Sequence, residues 1–80
     1  MMRLTERAYK DLEKLPKEER QRIVNALRRY DETRQGDVKP LKGPFRGKYR
    51  LRVGNYRVLF RREDGVVVVE RILHRRDAYR

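Results

Sequence analysis

Between Lys48 and Arg61 the chain reads KYRLRVGNYRVLFR, with apolar and charged residues alternating on both sides of Gly54-Asn55. A period of two marks a strand, and a Gly-Asn break between two such runs marks a β-hairpin. If those two residues form the loop, the pairing follows. Val53 faces Tyr56, Arg52 faces Arg57, Leu51 faces Val58, Arg50 faces Leu59, Tyr49 faces Phe60 and Lys48 faces Arg61. Facing residues share a side of the sheet. One side then carries Tyr49, Leu51, Val53, Tyr56, Val58 and Phe60; the other carries Lys48, Arg50, Arg52, Arg57 and Arg61 around Leu59. Two like-charged pairs face each other there, which destabilises a strand pair. Binding a polyanion supplies a reason to keep them.

Upstream the period changes to that of a helix. Ala8, Leu12 and Leu15 recur at helical spacing with Tyr9 beside them, behind Thr5 as N-cap and Glu6 in the first turn. Pro16 disfavours α geometry in the residue before it, so this helix is predicted to end at Leu15. Pro16 suits the first turn of a second helix, followed by Glu18 and Glu19 and an apolar stripe of Ile23, Val24, Ala26, Leu27 and Tyr30. Gly36 marks its end. The short link implies an antiparallel helical hairpin packed on the sheet's apolar face. Met1 to Leu4 is long enough only for a stub of edge strand.

Residues 34–47, RQGDVKPLKGPFRG, read as a loop, with Leu41 and Phe45 expected to plug the core. Lys39, Lys42 and Arg46 in that loop either reach a polyanion or stay solvated. Asp64-Gly65 is a second turn signal, leading to a strand from Val66 to Leu73. A strict two-residue loop would pair Val58 with Arg71 and bury that charge. A shift of one residue turns Arg71, Leu73 and Arg75 to the basic side and moves Glu70 toward the core. The shifted register is preferred. The chain closes on HRRDAYR, His74 to Arg80. The whole reads as one domain, 1–80, of α+β class: a helical hairpin on a small antiparallel sheet, with the first strand short or missing.

Charge changes this picture from a fold to a function class. The formal net charge is +11. Residues 1–44 hold 12 Lys/Arg against 8 Asp/Glu, whereas residues 45–80 hold 11 against 4. The excess therefore lies on the predicted sheet and tail, where it draws in phosphate polymers. With no cysteine, disulfides and thiolate metal sites are excluded, and His74 alone builds no zinc site. The longest apolar run, Val66 to Val69, is far short of a membrane span, and no signal-peptide pattern opens the chain. A cytoplasmic location is expected.

No carboxylate pair, Ser-His-Asp set or phosphate-cradling glycine loop is visible. What remains is an arginine cluster with His74, Tyr49, Tyr56 and Tyr79. Arginine forks bind phosphate and stabilise charge growing on a phosphorane-like transition state. Histidine exchanges a proton near neutral pH, and tyrosine stacks on a base or donates a proton. Cleavage of RNA needs no metal or other cofactor, because the ribose 2′-OH is an internal nucleophile. Tyr49 and Tyr56 fall on the apolar side and are expected in the core.

The ordered set L-x-x-L-P, KPLKG, YRLRVGNYRVLF, a Val-rich strand and HRRDAYR resembles the RelE/ParE superfamily of type II toxins. The RelE branch implies a ribosome-dependent mRNA interferase, an endoribonuclease acting on mRNA in the ribosomal A site. By that resemblance Arg57 and Arg75 hold the scissile phosphate and Tyr79 stacks on or orients the nucleotide. Lys42, Lys48, Arg50, Arg52, Arg61 and Arg71 are expected to bind RNA. RelE itself carries lysines at the positions of Arg50 and Arg52, one with a proton-accepting role; arginine is a poor base. His74 is therefore the candidate base. The resemblance also implies a cognate antitoxin that covers the basic face, with operator DNA bound only through that antitoxin. The ParE branch, which shares the fold and inhibits DNA gyrase, is the alternative; a non-catalytic nucleic-acid or antitoxin-binding module is the third.

Overall fold

The computed structural model describes residues 2–78. The elements run β1 (Met2–Leu4), α1 (Glu6–Glu13), α2 (Lys17–Thr33), β2 (Asp37–Pro40), a 3-10 turn (Gly43–Phe45), β3 (Tyr49–Val53), β4 (Tyr56–Glu63) and β5 (Val66–His74). The five strands form one sheet in the order β1-β5-β4-β3-β2. The class is α+β as expected, but the sheet is mixed, because the edge strand β1 runs parallel to β5.

Local chemistry explains the helix ends, and three differ from expectation. Thr5 caps α1 by accepting the Ala8 N–H on Oγ1 at 3.1 Å. The helix stops at Glu13 with Lys14 as its C-cap, so Leu15 lies beyond it and Pro16 is the N-cap of α2 rather than part of its first turn. The end of α2 is set by Arg34, in the left-handed region at φ 62°, not by Gly36. Gly36 instead lets the chain pass the core closely: a β-carbon there would lie 2.9 Å from Leu51 Cδ1.

The predicted loop 34–47 contains a strand. β2 pairs antiparallel with β3, Val38 opposite Leu51 and Lys39 opposite Arg50. Its sequence, DVKP, offers a single apolar residue and ends in proline, so neither periodicity nor propensity marks it; proline is tolerated because this is an edge strand. Leu41 and Phe45, expected in the core, are only half-buried and lie outside the main cluster.

The β3–β4 hairpin has the register read from the sequence, from Tyr49↔Phe60 to Val53↔Tyr56, around Gly54 at φ 56°. Its apolar side meets α1 and α2. Ala8, Ile23, Leu27 and Tyr30 pack on Leu51, Val53, Val58, Phe60, Val67, Val69 and Ile72, with Tyr49 and Tyr56 partly buried against them. Phe60 sits between two rings, Tyr30 at 5.3 Å and Tyr49 at 5.5 Å. Arg62 pairs with Val67 on this same side and closes the core's rim: it donates to the Tyr30 hydroxyl and lies 4.4 Å over the Tyr49 ring. The Tyr30 hydrogen bond holds its guanidinium above the ordinary arginine value.

The β4–β5 register combines both sequence alternatives. Asp64-Gly65 is a strict two-residue loop, with Glu63 opposite Val66, but a bulge between Leu59 and Phe60 then shifts the ladder to Leu59↔Arg71, Val58↔Ile72 and Arg57↔Leu73. Arg71 and Leu73 thus reach the basic side, as the shifted register requires. Glu70 does not turn to the core, correcting the expectation for it. In a bulge two residues oppose one partner, and Glu70 lies on the basic side, 3.1 Å from both Lys48 Nζ and Arg61 Nη1.

Candidate nucleic-acid interface

Alternation on the central strands builds the basic side, and the sheet order sets its rows. Arg61 and Lys48 form one end with Glu70. Arg71, Leu59, Arg50 and Lys39 cross the middle, and Leu73, Arg57, Arg52 and Asp37 cross the end nearest the Gly54-Asn55 turn. Leu59 and Val68 are buried on this side beneath the long charged chains.

The ten residues assigned to the site are not equivalent in their surroundings. Lys48 and Arg61 share the Glu70 carboxylate, and Arg61 Nη2 also reaches Glu63 at 3.1 Å. Arg50, 12% exposed, donates to the Asp37 carbonyl at 3.1 Å and pairs with its carboxylate at 3.4 Å. Arg71 is drawn off the face altogether, its Nε 2.9 Å from Asp11 Oδ2 on α1. Lys42 is exposed at the N-cap of the 3-10 turn, away from the strand rows.

The turn end differs. Arg52 faces Arg57 in the ladder and makes no ion pair among the described residues. Arg57 Nη1 donates to the carbonyls of Gly54 and Tyr56, both at 3.0 Å, so its head is anchored at the turn. Arg75 is exposed, and its N–H donates to the Asn55 carbonyl at 2.7 Å, which fixes the end of β5 against the same turn. Arg22 of α2 joins them: its Nη1 lies 3.5 Å from where a β-carbon on Gly54 would stand. Nothing in the sequence pointed to Arg22, which reads as part of the charged outer face of a helix.

His74 pairs with Tyr56, which places it on the helix-facing side of the last strand position, edge-on to the Tyr56 ring at 5.5 Å. Its Nδ1 accepts the Arg76 N–H at 3.2 Å, so the neutral ring carries its proton on Nε2. The chain then curls, with the Asp77 and Ala78 N–H groups donating to the His74 carbonyl and Ala78 buried. Tyr79 lies outside the described residues.

Such a surface concentrates guanidinium groups where Arg52 and Arg57 face each other, with the Arg57 head held by the Gly54 and Tyr56 carbonyls. Preorganised cations of that kind bind phosphate without reorganising. Replacing Arg52 with alanine is expected to reduce the slope of log affinity against log salt for single-stranded RNA by about 0.7. Arg71→Ala, whose charge is already matched by Asp11, is expected to leave that slope unchanged. Titrations of a labelled oligoribonucleotide at several salt concentrations measure both.

A family model described as the ParE toxin of type II toxin–antitoxin systems, parDE, matches residues 2–79. Toxin RelE3 of Methanocaldococcus jannaschii is 40% identical over 43 residues, 54% of this chain and 48% of the relative; the match thus spans about half of that protein's length. Among solved structures, the RelB–RelE antitoxin–toxin complex from Methanococcus jannaschii superposes with a TM-score of 0.78 at 29% identity, covering 95% of this chain and 93% of that one. The toxin–antitoxin complex RelBE2 from Mycobacterium tuberculosis gives 0.68 at 32% identity, covering 92% and 95%.

Proposed function

The chain belongs to the RelE/ParE superfamily of toxins from type II toxin–antitoxin systems, and from that premise we propose that it is an endoribonuclease cutting mRNA in the ribosomal A site. The observation that carries this is the facing pair Arg52 and Arg57 at the turn end, with Arg75 tied to the same turn through Asn55. Opposed guanidinium groups at one point suit a phosphate that gains negative charge in the transition state.

In the reaction proposed, the ribose 2′-oxygen attacks the adjacent phosphorus and the 5′-oxygen of the next nucleotide leaves, taking up a proton from water, to give a 2′,3′-cyclic phosphate and a 5′-hydroxyl. Arg57 and Arg75 hold the non-bridging oxygens, where charge grows in the transition state. The 2′-OH must lose its proton, and His74 is assigned to take it on Nδ1 once that nitrogen is released from the Arg76 N–H, because the neutral ring already carries its proton on Nε2. Tyr79 is assigned to stack on the nucleotide and align the attack. The substrate supplies its own nucleophile, so the chemistry calls for no metal or cofactor. Arg50, Arg52, Lys48 and Arg61 bind flanking phosphates, the last two once RNA competes with Glu70.

The partner proposed is a cognate antitoxin; two of the similar structures are toxins held by their antitoxins. A segment carrying carboxylates would neutralise the basic side, and contact with operator DNA would run through that antitoxin. No helix among the described residues is long and apolar enough to cross a membrane, which agrees with a cytoplasmic place of action on ribosomes.

The family model's ParE name favours a second reading, inhibition of DNA gyrase. Induction of the protein in a bacterial host separates the two. RNA cleavage predicts new 5′ ends positioned within codons, appearing before any DNA damage. A gyrase poison predicts DNA breaks and an SOS response with mRNA intact. Unimpaired growth at full expression would leave only a binding module.

A further inference from the structure

β1 ends at Leu4, opposite Val69, so it leaves the outer edge of β5 uncovered from Glu70 onward. An edge amide next to a packed helix needs a partner, and here α1 supplies it. The Thr5 N–H donates to the Val69 carbonyl at 2.9 Å, and Thr5 Oγ1 donates to the Glu70 carbonyl at 3.2 Å. Farther along the helix, Asp11 Oδ2 accepts the Ile72 N–H at 3.0 Å and Arg71 Nε at 2.9 Å, while Oδ1 accepts Arg71 Nη2 at 3.4 Å. The Asp11 side chain is only 13% exposed. One carboxylate thus does the work of a missing strand.

The two groups it holds lie just past the bulge. In an unbulged ladder Arg71 would oppose Val58 in the core and Ile72 would oppose Arg57 on the basic side. The bulge exchanges them, sending Ile72 into the core and setting Leu73 beside Arg57. Asp11 grips the Arg71 side chain outside the core and the Ile72 N–H together, an arrangement that only the bulged ladder permits. A slip of one residue would turn every later side chain to the other side, His74 and Arg75 among them.

We propose that Asp11 is a positioning residue for RNA cleavage: it locks the bulged edge of β5, and so sets the His74–Arg75 end against Arg57 at the turn. This rests on the nuclease reading above and extends it to a residue on the far helix that need not touch RNA. It also gives Arg71 a different task from the phosphate contact expected of it.

The test pairs amide hydrogen exchange with cleavage kinetics on programmed ribosomes, for the full chain and for Asp11→Ala and Asp11→Asn. Asp11→Ala is expected to speed exchange of the Ile72 amide by about tenfold or more, with Val58 and Phe60 amides near wild type. Its kcat is expected to fall about 10- to 100-fold, with KM within about twofold. Asp11→Asn retains an acceptor for the Ile72 N–H and is expected to recover most of kcat. Unchanged kcat despite faster Ile72 exchange would overturn the proposal, as would unchanged Ile72 exchange. Equal acceleration of all core amides would reduce Asp11 to a stabilising residue and overturn it too. A wild type that cleaves nothing would instead remove the nuclease reading and the positioning role with it, while the exchange data still report the edge lock.

Discussion

Arg57→Ala is expected to lower mRNA cleavage about 10²- to 10³-fold, the usual cost of removing one preorganised donor from a developing oxyanion, and to abolish growth arrest. Arg57 is the position where three independent constraints meet. The hairpin register sets it opposite Arg52, the turn carbonyls of Gly54 and Tyr56 anchor its head, and Leu73 flanks it from β5. Losing the two turn bonds costs about 1–3 kcal/mol, less than the stability of a folded domain, so the variant should remain folded, which circular dichroism checks. Arg57→Lys keeps the charge but not the planar fork, and is expected to recover only a minor part of the activity. Full toxicity in folded Arg57→Ala would remove this residue from the site.

Phe60→Ala is expected to be the most damaging single change to the fold, at about 3–5 kcal/mol. Phe60 is fully buried at the centre of β4 and is the ring on which both Tyr30 and Tyr49 pack. Its loss opens a cavity between the sheet and α2 and breaks both aromatic pairs at once. In a domain of this size the total stability lies toward the low end of about 5–15 kcal/mol. A thermal melt should therefore show Tm lowered on the order of 20 °C. Tyr9, 57% exposed, is the control, and its alanine variant should melt within a few degrees of wild type. A small shift for Phe60→Ala would mean that the core does not converge on this ring.

What was legible in the sequence is what depends on short-range rules. A Gly-Asn loop of two residues leaves one possible pairing, so the hairpin and its two faces followed from alternation alone, and Thr5 followed from capping chemistry. The rest depends on contacts between distant segments. β2 carries one apolar residue and owes its existence to the edge of β3. An unbulged shift by one residue places Glu70 in the core; a bulge takes up the extra residue and leaves Glu70 between Lys48 and Arg61. Its strand face alone groups Arg71 with the RNA contacts, yet the carboxylate that draws it away comes from 60 positions upstream. Arg22 reaches the turn from a helix for the same long-range reason. At the site, then, residue types and faces could be read in advance, whereas which cations are already matched by a carboxylate could not.

The most direct measurement is primer extension on mRNA in a purified translation reaction, with ribosomes halted at a defined codon and the wild-type protein added. Cleavage at the turn-end arginines predicts one new 5′ end inside the A-site codon, dependent on the ribosome and missing with Arg57→Ala. Intact mRNA with folded wild-type protein, or an equal cut by the Arg57 variant, would contradict it.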